Sequence, residues 1–89
     1  MDKRPMELSD TVGMMGSADY KERFKAEYCQ TLIRYGKLKN MVERWDDGTL
    51  NFNPTCPRSL YDLQLRTMKE YITVLEARAA IENVDLSEG

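Results

Sequence analysis

FKAEYCQTLIRYGKLKNMVERW, residues 24–45, decides the fold. Within it Phe24, Tyr28, Thr31, Tyr35, Leu38, Val42 and Trp45 recur at an unbroken 4-3-4-3 spacing, with Thr31 the only weak member. That spacing keeps one apolar seam on one side of an α-helix and faces it toward a partner helix, as in a coiled coil or an antiparallel hairpin. Upstream, Ser17 or Asp19 offers a cap, and Asp19 with Glu22 has the spacing of a capping box. A first helix is therefore expected over residues 17–46.

The partner is found further along the same chain. DGTLNFNPTC, residues 47–56, carries turn chemistry, with Gly48 as a helix stop and Pro54 and Pro57 bracketing the next start. Only Leu50 and Phe52 alternate as a strand would, which is too short for a sheet. Residues 57–83 then repeat the seam with Tyr61, Leu65, Met68, Ile72, Leu75 and Ala79. Here the apolar face is broader than one partner covers. Leu60, Val74 and Ile81 fall seven or fourteen apart beside the seam, and Tyr71 lies between the two lines. The expected fold is all-α: an antiparallel two-helix hairpin, residues 17–83, whose surplus face belongs to further copies of the chain. Residues 1–16 have no helical or alternating period and are expected to be an N-terminal arm, mobile unless docked. Residues 84–89 form a short acidic tail.

Composition agrees with assembly. A chain of 89 residues leaves a monomer little core to offset chain entropy, so a homo-oligomer is expected. Thirteen Lys and Arg against fifteen Asp and Glu give a net charge of -2, which argues against a general DNA coat. No apolar run is long enough to span a bilayer, and the N-terminus lacks the basic-then-apolar pattern of a signal peptide, so a soluble protein of a reducing compartment is expected. Two cysteines and no histidine imply neither a zinc framework nor a disulfide scaffold, and no metal or cofactor is expected.

Positive charge is nonetheless concentrated. Between Lys21 and Arg44 seven basic residues face three acidic ones, a local balance of 7 - 3 = +4. Arg23, Lys37 and Arg44 share one line at multiples of seven, and Arg34 shares another with Tyr20 and Met41. A tyrosine ring can stack on a nucleobase and an arginine fork can hold a phosphate, so this line is a possible nucleotide site. The same residues also suit a solvated helix face and ordinary packing tyrosines. Gly36 costs a helix interior ~1 kcal/mol relative to alanine, and a bend or the close approach of another backbone or ligand is expected there. Catalysis is not expected: the commonest general base is missing, GMMGSADYK lacks phosphate-loop spacing, and the helical carboxylates form no di-iron pair.

The run SADYKERFKAEYCQTLIRYGKLKNM, then GTLNFNPTCP and LYDLQLRTMKEYITVLEARAAIE, resembles a family of small proteins from phages of gut bacteria. More distantly, ERF...E...R..KL..M, loop, LQ..M..Y..VLE.RA resembles the helical hairpin of the phage type 2 anti-CBASS proteins, a hairpin shared with a Thoeris antagonist. The resemblance covers about residues 17–83. It implies a sponge in the host bacterial cytoplasm that binds cyclic oligonucleotide immune messengers without cleaving them. It also implies a compact homohexamer, with cyclic dinucleotides between protomers and cyclic trinucleotides in separate sites.

Counted from Glu27, the family's basic phosphate-binding position falls on Arg34. Tyr20 is nearest to its aromatic base contact, one residue out of register. Lys37 and Arg23 are assigned by being basic on an adjacent line, and Arg66, Lys69 and Arg78 are candidates for a second anion site. Where Gly36 stands the family usually has a longer side chain. Two functions from different classes follow: sequestration of a cyclic nucleotide, or a helical oligomeric module that binds a host protein through its surplus apolar face.

Overall fold

In the computed structural model, which describes residues 6–86, every regular element is helical. A 3-10 turn (Leu8–Thr11) runs into a single α-helical turn, α1 (Val12–Met15), followed by two long helices, α2 (Tyr20–Asp47) and α3 (Arg58–Glu82). The first five residues of the expected arm and the last three of the expected tail lie outside the described residues.

The helix ends follow from local chemistry. Asp19 caps α2 by accepting the Lys21 N–H at 2.9 Å, while its own N–H donates to Ser17 Oγ at 3.0 Å. Ser17 thus takes the bond that Glu22 would have made in a capping box. At the other end Gly48 sits at φ 77°, and its neighbour's Thr49 N–H reaches back to the Arg44 carbonyl at 2.9 Å. α3 stops the same way, with Asn83 at φ 60° and Val84 N–H on the Ala79 carbonyl at 2.9 Å. Both are Schellman-type ends, in which a left-handed residue lets the chain satisfy the last free carbonyls.

The two helices form the expected antiparallel hairpin. Phe24 and Val42 of α2 and Ile72, Leu75 and Ala79 of α3 are buried, and the other seam positions are half-buried. At the loop end Trp45 and Tyr61 meet edge to face, with ring centres 6.0 Å apart. Arg58 lies over the Trp45 ring at 5.5 Å and is ion-paired to both Asp46 and Asp62. At the opposite end Phe24, Leu75, Ala79 and Val84 close a cluster flanked by Tyr28 and Leu86.

Three points add to the sequence reading. In the stretch expected as an acidic tail, the chain reversal at Asn83 brings Val84 and Leu86 back onto that cluster. The arm, expected to be mobile unless docked, is docked over its described part: Thr11 is fully buried, donating to the Leu8 carbonyl at 2.7 Å and accepting from Gln30 Nε2 at 3.0 Å. Its helical turn packs on the side of α2 that carries Gln30, away from the seam. Such docking left no periodic signal because one turn of helix is shorter than the period that would reveal it. Finally, α2 runs through Gly36 as continuous helix, and nothing in the chain lies within 4 Å of where a Cβ would stand. No bend or close approach from its own chain explains that glycine.

The hairpin leaves much apolar surface uncovered. Leu60, Tyr71, Val74 and Ile81 are 50%, 42%, 52% and 82% exposed, and Leu63 is exposed beside them. Along α3 the residues Leu60, Gln64, Thr67, Tyr71, Val74, Arg78 and Ile81 repeat the 4-3-4-3 rule, a second line whose apolar members Leu60, Tyr71, Val74 and Ile81 stay exposed among the described residues. The radius of gyration, 15.2 Å, exceeds the ~12 Å of a compact domain of this length.

Candidate functional site

Three features share one flank of the hairpin. The first lies at the start of α2 and the end of α3, where Tyr20, Arg23, Phe24, Glu27 and Arg78 line a surface recess of about 190 Å³. Tyr20 is placed there by the Asp19 cap, and its hydroxyl donates to Glu82 at 3.1 Å. That bond to a carboxylate pushes the phenol's pKa above its ordinary value. Arg78 bonds the same carboxylate through Nε at 2.9 Å, and its guanidinium lies 4.8 Å from the centre of the Phe24 ring. Glu82 is held below the usual carboxylate range, chiefly by the Arg78 hydrogen bond. Arg23 spends one nitrogen on the Ser17 carbonyl at 2.8 Å.

The second feature is Arg34. It is exposed and makes no hydrogen bond or ion pair among the described residues. The same holds for Lys37, one turn further and toward the outer side of α2. Fourteen residues of helix separate Tyr20 from Arg34, a rise of about 21 Å, so the two cannot grip one nucleotide from a single chain. Glu27 and Arg78 both line the recess. One heptad toward the loop from each come Arg34 on α2 and the exposed Tyr71 on α3, which continue the lines that Glu27 and Arg78 begin.

The third feature continues the flank toward the loop, where Leu60, Leu63, Gln64, Thr67 and Met68 line an apolar groove of about 310 Å³. Arg66 and Lys69 of α3 are exposed and unpaired among the described residues, and they line neither the recess nor the groove. The structure thus brings Tyr20, Arg23 and Arg78 together, leaves Arg34 and Lys37 as a separate basic pair, and leaves Arg66 and Lys69 apart from both. Among the described residues no group of His, Cys, Asp and Glu could hold a metal ion, and no helix is long and apolar enough to cross a membrane.

The Sequestin family model matches residues 18–81, from the α2 cap to the last turn of α3. The chain belongs to the Sequestin family. Neither the curated proteins nor the solved structures give a match. The Sequestin match includes every basic candidate and the second seam of α3, and it leaves the docked arm and Glu82 outside. One participant escaped the sequence reading of this Sequestin hairpin. Glu82 is four residues from Arg78, an i,i+4 pair whose spacing was visible, but its second partner, Tyr20, comes from 62 residues away. Tyr71 is legible as part of the broad apolar face, and the hairpin leaves it 42% exposed.

Proposed function

We propose that this protein is a phage anti-defence sponge of the type 2 anti-CBASS kind, which sequesters cyclic oligonucleotide messengers of bacterial immunity and does not cleave them. The observation that carries the reading is the exposed Arg34 of α2, unpaired among the described residues, in a hairpin whose α3 leaves Tyr71 and a row of apolar residues exposed. Membership of a family named for sequestration supports it, as does the likeness to gut-phage proteins in the motifs quoted above.

A phosphate needs a donor that is not already spent, and Arg34 is such a donor where Arg78 is not. A nucleobase needs a flat face, and Tyr71 offers one at the edge of the surface where a second copy would sit. Neither surface recess is deep enough to enclose a dinucleotide, so ligand sites completed by two chains fit this geometry better than a pocket within one. The expected assembly is a homo-oligomer, a hexamer by resemblance, working in the host bacterial cytoplasm with cyclic di- and trinucleotides as ligands.

The test is a thermal-shift screen of the purified protein against cyclic di- and trinucleotides, with solution mass measured alongside. Ligand should raise the unfolding temperature by mass action, and the gain should shrink with salt. Arg34→Ala should lose binding and keep the oligomer; unchanged affinity would remove Arg34 from the site. The α3 seam also favours a second reading, a module that binds a host protein. A stable monomer that ignores every cyclic nucleotide would favour that reading.

A further inference from the structure

We propose that Tyr20 and Arg78, which border the recess at the start of α2, form a phosphate-binding pair gated by Glu82, whose carboxylate takes the two donors that the ligand's phosphate would use. The proposal deepens the sponge reading and rests on it for the ligand's chemical class, a phosphodiester.

The geometry resembles an anion site already filled. Tyr20 donates to Oε1 of Glu82 at 3.1 Å, and Arg78 presents Nε to Oε2 at 2.9 Å and a terminal nitrogen to Oε1 at 3.4 Å. Two oxygens of one anion therefore meet a guanidinium edge and a phenol, the donor set that also suits a phosphate. Phe24 backs the guanidinium face at 4.8 Å and is itself buried, so Arg78 is held in place from below. Arg23 lines the same recess.

The charges explain why Glu82 must move. Arg23 and Arg78 are balanced by Glu27 and Glu82, so an incoming phosphate gains little unless one carboxylate leaves. Glu82 is the one placed to leave. It is the last residue of α3 and its side chain reaches solvent, so a change of rotamer frees the carboxylate while Val84 keeps the chain end pinned to the core. An acidic side chain is also disfavoured at a helix C-terminus by the helix dipole, so α3 alone gains nothing from having it there. Swinging away, it would return to water while Tyr20 and Arg78 keep an anion between them.

The experiment titrates inorganic phosphate and, separately, a 3′,3′-cyclic dinucleotide into the full chain and into Glu82→Gln and Glu82→Ala, following the Arg78 Nε–H resonance by NMR. Both variants should bind phosphate about tenfold more tightly than the parent chain, with the Arg78 resonance shifting on binding. A purely structural clamp would instead lower the unfolding temperature of both variants and leave phosphate affinity unchanged, and that result would overturn the proposal. If the cyclic dinucleotide binds the parent and variants equally, the gate fails and the sponge reading stands. If only phosphate shows the gain and no cyclic nucleotide binds any form, the gate stands and the sponge reading fails.

Discussion

The guanidinium of Arg78 lies 4.8 Å from the centre of the Phe24 ring, so a core residue of α2 is also the floor of the recess. Phe24 packs with Leu75, Ala79 and Val84 in the best-buried part of the chain. Phe24→Ala should cost ~3–5 kcal/mol, a large share of the stability of so small a domain. Urea unfolding followed by circular dichroism should show the midpoint collapse toward zero. A midpoint close to the parent's would mean that the stability resides in contacts between chains.

Oligomerisation has its own mutation. Val74 lies on the second seam of α3, half exposed and outside the buried cluster. Val74→Glu should leave helix content intact and lower the solution mass measured by light scattering, because a charge buried between copies would go unpaired. An unchanged mass would remove this face from the assembly.

Much of this was legible in residues 24–45 and 60–79, because a 4-3-4-3 spacing has one geometric meaning and both helices obey it. The helix stops at Gly48 was legible too, since a left-handed residue is what a glycine there supplies. Asn83 does the same work without a glycine, so the return of Val84 and Leu86 onto the core carries no sequence signal. Arg34 and Lys37 were identifiable as basic residues off the seam. What spacing within one helix could not supply was the register between helices. That register puts Glu82 between Tyr20 and Arg78.

Gly36 gives a direct reading of what surrounds α2 in solution. In the single chain a Cβ at this position meets nothing, and the backbone is ordinary helix. Gly36→Ala should therefore stabilise the chain by up to ~1 kcal/mol, which is about 4–8 °C in unfolding temperature for a domain this size. If the variant is instead less stable, or binds ligand less tightly, another chain or the ligand comes close to that backbone in the assembly.

Alkaline pH should unfold the hairpin through Tyr28. Burial, and then the hydrogen bond its hydroxyl donates to Glu76 at 2.8 Å, push this phenol from 10.0 up to about 12. The folded chain holds that proton more tightly than the unfolded one, so the contribution is complete below pH 10 and is lost as pH rises toward 12. The Cys29 thiol, raised by burial, adds to the loss in the same direction. Tyr28→Phe should flatten the fall in unfolding temperature above pH 10, leaving the part due to Cys29 and Tyr20. An identical alkaline profile would show that Tyr28 ionises as freely folded as unfolded.

Sequestration is tested most directly by following the ligand itself. A cyclic dinucleotide mixed with excess purified protein should vanish from the free pool, then return in full as the intact cyclic compound once the protein is heat-denatured and the supernatant is analysed by mass spectrometry. Recovery as a linear product, or no depletion of any cyclic di- or trinucleotide at protein excess, would contradict the account.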